Sequence, residues 1–226
     1  MDGMEFDPTP RRGFLGRLAA GAVALAAGGL VTKTEAQPRS RTDSLWDDSW
    51  LKRIKGDRRQ VFDAMEINSG FPLVMAYIWM QSNHDADKIE MKDLSAVVVL
   101  RHGAIAMAMN TTIWAKYKLG ETYKIMDPLT TQPATRNVFG TAMGFPIPIA
   151  PNAAIDKMVA AGVIFCACSV ALSVTSAAMA EKGGVTKEVA LQEWTAGLMP
   201  GITVVPSGVF AVGRAQDKEC RYCNVT

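Results

Sequence analysis

The chain lacks the short motifs that identify several large enzyme classes. Its 226 residues contain no G-x-x-x-x-G-K-[ST], no G-x-G-x-x-G, no H-E-x-x-H and no C-x-x-C-H. These absences exclude phosphate-loop enzymes, dinucleotide-binding enzymes, zincins and c-type cytochromes in their usual forms. Two histidines are also too few for a histidine-built metal centre. The sequence therefore implies neither a cofactor nor a metal.

The chain also has little net charge and few cysteines. The 24 Lys and Arg residues nearly balance the 22 Asp and Glu residues, and they are dispersed along the chain. This pattern gives no reason to expect a nucleic-acid partner. Four cysteines are too few for a disulfide scaffold in a chain of this length. The composition, 49% hydrophobic and 20% charged, is that of one ordinary globular domain.

The first 36 residues have the layout of a signal peptide. Arg11 and Arg12 precede an apolar stretch of small residues from Leu18 to Val31, and together they resemble a twin-arginine translocation signal. The stretch is too short and too rich in glycine for a convincing membrane span. We therefore expect cleavage after Ala36 and a periplasmic protein without a membrane span. A retained N-terminal anchor is the alternative.

Residues 37–59 are polar, and they predict a linker or an arm laid over the domain that starts at residue 60. Apolar runs beyond them predict strands at Gln60–Ala64, Leu94–Leu100, Val163–Cys168 and Ile202–Val205, with an edge strand near Cys220–Cys223. Helical patterns fall between them, at Phe71–Gln81, Ala104–Lys118, from an Asn152 cap to Ala161, after Ser169, from a Thr186 cap to Trp194, and from Ser207–Gly208 to Asp217. This alternation predicts a three-layer α/β/α domain with a mostly parallel sheet.

Polar side chains follow three of the predicted strands. Arg101 and His102 come directly after Leu100, Cys168 ends the next strand, and Ser207–Gly208 follows the strand after that. Ligands of open parallel sheets bind beyond the carboxyl ends of the strands, near helix N-termini. We therefore expect these residues to form one site.

Cys168 is the candidate nucleophile of this site. A helix N-terminus, an arginine and a histidine all favour a thiolate, which can attack a sulfur atom and carry it as a persulfide. A strand-end cysteine is as often an inert packing residue. His102 would act as a base or a proton donor, or bond only to the backbone. Backbone N–H groups at Ser207 and Gly208 would face an anionic group.

Two segments resemble the DsrE/DsrF-like family. Residues 162–168 (GVIFCAC) end in F-x-x-C, and residues 199–209 (MPGITVVPSGV) contain P-G-x-x-V-V-P-S-G-V, followed by a helix with Gln216. The V-V-x-x-H-G step that ends at Gly103 fits as well, and the resemblance covers roughly residues 60–222. It implies a small flavodoxin-like domain, often oligomeric, in which a cysteine accepts and passes sulfur between proteins. The matching cysteine is Cys168.

The chain departs from the family pattern in two places. A Pro-rich insert at residues 120–151 is a candidate cap for the site or a candidate interface. In the tail, Cys220 and Cys223 form a C-x-x-C pair, which in an oxidising compartment is a candidate disulfide, redox pair or part of a metal site. The spacing of Cys166-x-Cys168 with C-x-x-C is irregular for zinc.

Three hypotheses for function follow. The first is an exported sulfurtransferase or sulfur carrier that acts through Cys168, with Arg101 and His102 steering charge and protons. Its partners would be a sulfur-donor or sulfur-acceptor protein, and the chain would be a homo-oligomer. The second is a non-catalytic binding or assembly module that presents the insert to a partner. The third is a thiol–disulfide protein that uses Cys220 and Cys223.

Overall fold

The computed structural model describes residues 46–225. The predicted signal peptide, with Arg11 and Arg12, and the first part of the predicted arm lie outside the described residues. The strands are β1 (Arg58–Ala64), β2 (Leu94–Leu100), β3 (Ile164–Cys168), β4 (Ile202–Val205) and β5 (Arg221–Asn224). The α-helices are α1 (Phe71–Asp87), α2 (Thr111–Lys116), α3 (Leu119–Tyr123), α4 (Ile155–Ala160), α5 (Ser169–Met179), α6 (Lys187–Ala196) and α7 (Gly208–Gln216). Shorter 3-10 helices are Ser49–Arg53, Asn68–Gly70, Met91–Asp93, His102–Ala108 and Pro151–Ala153.

The five strands form one sheet in the order β4-β3-β2-β1-β5, and every neighbouring pair is parallel. The chain therefore adds β2, β3 and β4 on one side of β1 and returns to place β5 on the other side. The prediction of a three-layer α/β/α fold with a mostly parallel sheet is confirmed, and the sheet is parallel throughout.

Side chains of the central strands alternate between two apolar layers. The buried apolar residues form two clusters, a larger one on one face of the sheet and a smaller one on the other face. On β2, Ala96 and Val98 belong to the larger cluster, whereas Val97 and Val99 belong to the smaller cluster. Helices α1, α2, α4, α5 and α6 contribute to the larger cluster, and α7 contributes Ala211 and Ala215 to the smaller one. Burial of both faces explains why β2 reads as a continuous apolar run.

The second face of the sheet is covered by α7 together with the segment before β1. In the 3-10 helix Ser49–Arg53, the side chain of Trp50 is only 1% exposed, and it packs in the smaller cluster with Leu51 and Ile54. Part of the polar segment 37–59 therefore lies against the domain.

The predicted helix Ala104–Lys118 is in fact two elements. Residues 102–108 form a 3-10 helix, then Met109 becomes extended and pairs with Leu198. Asn110 follows, and its side chain accepts a hydrogen bond from the Ile113 N–H to start α2. An Asn side chain that bonds to the backbone starts a new helix rather than continuing an old one.

The predicted Asn152 cap is wrong. Asn152 lies inside the 3-10 turn Pro151–Ala153, and α4 begins at Ile155 without a side-chain cap. The N–H groups of Ile155 and Asp156 donate instead to the carbonyls of Phe139 and Gly140. Two carbonyl groups of the insert therefore accept hydrogen bonds from the first N–H groups of α4, which a capping side chain would otherwise do. At α6, the predicted Thr186 cap is confirmed.

Residues 120–151 are anchored to the domain by polar and apolar contacts. The Asn137 side-chain amide donates to the carbonyls of Met107 and Met109, and the rings of Phe139 and Phe145 are buried in the larger cluster. The insert therefore supplies part of the core.

Within residues 46–225, no helix has both the length and the apolar character needed to cross a membrane.

We expect Trp50→Ala to lower the free energy of unfolding by about 3 kcal/mol, because it opens a cavity over the second face of the sheet. Urea denaturation measures the change. Trp50→Phe should lose much less, since the buried indole N–H has no hydrogen-bond partner to lose. Lys52→Ala, an exposed position in the same turn, is the control. A Trp50→Ala protein as stable as this control would show that the segment contributes nothing to the domain.

Candidate functional site

A cavity of about 650 Å³ opens at the carboxyl edge of the sheet. All five residues predicted for the site line it: Arg101, His102, Cys168, Ser207 and Gly208. The cavity lies between α5, which follows β3 on the larger-cluster face, and the start of α7, which follows β4 on the other face. Helices that leave neighbouring strands toward opposite faces open a crevice of this kind.

Cys168 occupies the N-cap position of α5. Its side chain is 5% exposed, and its Sγ accepts a hydrogen bond from the Ala171 N–H at 3.3 Å. The sulfur takes the place that Ser, Thr or Asp usually fills at a helix start. A backbone N–H donor at the positive end of the helix dipole stabilises negative charge on that sulfur.

A hydrogen bond joins the two loops that flank the cavity. The hydroxyl of Ser169 donates to the carbonyl of Pro206 at 2.7 Å. In the sheet, Cys168 is the register partner of Val205. The start of α5 is thereby held beside the loop that leads to α7, so that Cys168 and Ser207 face one cavity.

Arg101 is bound by a buried carboxylate. Its Nε and a terminal nitrogen donate to the two oxygens of Asp63 at 2.7 and 2.9 Å, and the Tyr222 hydroxyl donates to the same carboxylate at 3.0 Å. The hydrogen bonds to Asp63 raise the pKa of Arg101, so the guanidinium stays charged. The Arg101 side chain is only 22% exposed and is already paired with Asp63.

Ser207 and Gly208 shape the cavity through α7 and Arg101. The Ser207 hydroxyl accepts the Phe210 N–H at 3.2 Å and so caps α7. A Cβ on Gly208 would lie 2.4 Å from Cδ of Arg101. Glycine is therefore required for the arginine to pass across the first turn of α7 and reach Asp63.

His102 and Glu66 form a pair at the mouth of the cavity. The Nδ1 of His102 lies 2.8 Å from a carboxylate oxygen of Glu66, and both side chains are largely exposed. A Cβ on Gly103 would lie 2.5 Å from the other carboxylate oxygen, so Gly103 makes room for Glu66. The imidazole can exchange protons with solvent and with a group bound in the cavity.

The remaining wall is apolar except for Thr175 on α5. It is formed along α5 by Val170, Ala171, Val174, Ala178 and Met179, and at α7 by Val209. All three valines of this wall, Val170, Val174 and Val209, are well exposed, so they form an apolar surface that is open to solvent. Tyr123 is the only residue of the insert that lines the cavity. Burial raises the pKa of Tyr123, and the charge of Glu66 adds to the effect.

The other three cysteines lie away from this cavity. Cys166 is buried in the smaller cluster, and burial raises the pKa of its thiol far above the ordinary range. Cys220 belongs to the same cluster, whereas Cys223 packs against the larger one. Cys220 and Cys223 thus face opposite sides of the sheet, and all four cysteines are free thiols. Within residues 46–225, no group of His, Cys, Asp and Glu side chains is placed to hold a metal ion.

Sequence reasoning missed Tyr123 and Thr175 of the cavity lining, and it missed three residues of the polar network around it, Asp63, Glu66 and Tyr222. Asp63 is the one carboxylate in an otherwise apolar stretch of β1, and Glu66 comes two residues after that strand. Applying the carboxyl-end rule to the first strand would have found Glu66. Tyr222 reaches Asp63 from β5 at the far end of the chain, and no local signal in the sequence predicts that contact.

Comparisons with known proteins identify no relative of established function. No protein-family model matches the chain, and no curated protein matches it. Among solved structures, a protein of unknown function from Methanobacterium thermoautotrophicum is similar, with 17% sequence identity and a TM-score of 0.41. The match covers 74% of this chain and 99% of that chain.

We expect Asp63→Asn to lower the free energy of unfolding by about 3 kcal/mol, because it leaves the Arg101 charge partly buried without its counter-ion. Chemical denaturation measures the loss. Asp57→Asn removes an exposed carboxylate just before β1 and should change the stability little. Equal losses in the two variants would contradict the stabilising role of the Asp63–Arg101 pair.

Burial raises the pKa of two of the four thiols, Cys166 and Cys220, and so lowers their reactivity near neutral pH. It raises the pKa of Cys220 to about 11, so the neutral thiol stabilises the folded protein below the ordinary thiol pKa of about 8.5. That contribution is lost as the pH rises from there toward 11.

At pH 8, iodoacetamide should modify Cys168 and Cys223 in the native protein well before Cys166 and Cys220. Peptide mapping measures the order, and equal labelling in urea serves as the control. Early labelling of Cys220 would contradict this order.

Proposed function

We propose that this protein accepts and passes sulfur through Cys168, as a sulfur carrier or sulfurtransferase. The observation that carries the proposal is the position of the Cys168 sulfur. It caps α5, accepts a backbone N–H and lines a cavity together with His102 and the Arg101–Asp63 pair. The resemblance of residues 162–168 and 199–209 to the DsrE/DsrF-like family supports the same chemistry.

The transfer needs no external oxidant or reductant. The Cys168 thiolate attacks the outer sulfur of a donor persulfide, R–S–SH. A new S–S bond forms at Sγ while the S–S bond of the donor breaks, and the donor leaves as the thiolate R–S⁻. Cys168 is then a persulfide. An acceptor thiolate reverses the process by attacking the outer sulfur and releasing the Cys168 thiolate.

Each neighbouring group has a role in this chemistry. The Ala171 N–H stabilises charge on Sγ before the attack and again when the thiolate is released. His102, at the mouth of the cavity, supplies a proton to the departing thiolate or removes one from an incoming thiol. Arg101 stays protonated beside the site, and Asp63 holds it in place and offsets its charge.

The sequence supports export by the twin-arginine pathway into the periplasm, with cleavage after about Ala36. Folding before export would bring the domain into that compartment with its cavity already formed. A sulfur-donor or sulfur-acceptor protein and a homo-oligomeric assembly remain part of the proposal because the family resemblance implies them.

The placement of the cysteines favours Cys168 over the tail pair. Cys220 and Cys223 lie on opposite sides of the sheet, so a disulfide between them requires the backbone at the start of β5 to rearrange. Neither residue lines the cavity.

We expect Cys168→Ser to abolish sulfur loading and to leave the fold intact, since a hydroxyl can still cap α5. The folded protein is treated with a small organic persulfide, and intact mass measures the added sulfur before and after reduction. Cys223→Ser, at the most accessible of the other cysteines, is the matched control and should still load. Loading of the Cys168→Ser protein at the unmodified rate would refute the proposal and favour a binding module.

A further inference from the structure

The charges around the cavity cancel. Its charged lining residues are Glu66, Arg101 and His102. Arg101 is neutralised by the bidentate contact with Asp63, which is itself buried, and His102 is paired with Glu66. Together, Asp63, Glu66, Arg101 and His102 therefore carry no net charge when the imidazole is protonated. They carry a net negative charge when the imidazole is neutral.

This balance disfavours a small inorganic anion as the sulfur donor. A dianion such as thiosulfate would lose hydration on entering the cavity, and an unpaired arginine or lysine normally compensates for that loss. Arg101 compensates little for this loss because its charge is already offset by the bidentate contact with Asp63.

The apolar wall, in contrast, is left open to solvent. Val174 is 65% exposed and Val209 is 67% exposed, yet both line the cavity that contains the Cys168 sulfur. Covering such side chains with an apolar group releases free energy in proportion to the area removed from water. A cavity of about 650 Å³ with an apolar wall and a few converging polar groups has the size and character of a small-molecule site.

We infer that the donor bound here is a small organic persulfide, R–S–SH, with an uncharged apolar R group. This inference rests on the proposed function. The R group lies between Val174 of α5 and Val209 of α7, and the outer sulfur meets the Cys168 sulfur. Attack forms the Cys168 persulfide and releases R–S⁻, which takes a proton from protonated His102 or from water. The thiol product then leaves the cavity.

The test compares two donors that differ only in the R group. One is 2-phenylethyl persulfide, and the other is 2-sulfonatoethyl persulfide, each generated immediately before use. Mass spectrometry follows the appearance of one added sulfur on Cys168, and each rate is divided by that of the same donor with glutathione, which removes intrinsic reactivity. We expect the apolar donor to load Cys168 at least about tenfold faster than the anionic one.

A double variant tests the wall directly. Val174→Thr with Val209→Thr keeps the side-chain shape and replaces two exposed methyl groups with hydroxyls. It should lower the rate of the apolar donor several-fold relative to the rate of the anionic donor. Val189→Thr, a partly exposed valine on α6 outside the cavity, is the matched control. In the unmodified protein, 2-phenylethyl methyl sulfide should compete with the apolar donor, a measurement that needs no substitution.

The outcomes separate the two proposals. If neither donor adds sulfur to Cys168, the proposed function fails. If both load equally after normalisation, or the anionic donor is faster, the function stands and the inference about the R group is overturned. An unchanged ratio in the double variant, or no competition by the thioether, also overturns it.

Discussion

Parallel pairing is the constraint on which the rest of this structure depends. Because all five strands run in one direction, every strand ends at the same edge of the sheet, and each connection must return across a face. The residues that follow β1, β2, β3 and β4 are therefore brought together however far apart they lie in sequence. Glu66, Arg101, Cys168 and Ser207 share one cavity for this reason. The site follows from the topology more than from any local motif.

The crevice itself arises because the sheet is covered differently on its two faces. Most of the helices pack on the larger cluster, while α7 and the 3-10 helix around Trp50 cover the other face. The helices after β3 and β4 consequently diverge, and the cavity opens between them. The hydrogen bond from Ser169 to Pro206 limits this divergence where the two strands end. A stable core and an open binding edge are thus produced by the same arrangement.

The charge that this edge of the sheet presents to a ligand is set by an ion pair and hydrogen bonds within the protein. Asp63 holds Arg101 with both oxygens, accepts the Tyr222 hydroxyl, and removes the net positive charge that an isolated arginine would present to a ligand. Gly208 allows the arginine to take that path, because any larger side chain would collide with it. What remains toward the cavity is a thiol at a helix start, an exposed imidazole and an apolar wall. That combination suits an uncharged substrate with one reactive sulfur.

The sequence alone determined the strands, the class of fold and the candidate nucleophile. Continuous apolar runs such as Leu94–Leu100 identify strands that are buried on both faces, and residues just beyond their ends identify the site edge. Only the tertiary structure decided which partners these residues have. Tyr222 reaches Asp63 across 159 positions of sequence, and the carbonyls of the insert replace the predicted Asn152 cap on α4. Such contacts depend on strand order and on the path of a long irregular segment, and neither leaves a periodic signal in the residues that make them.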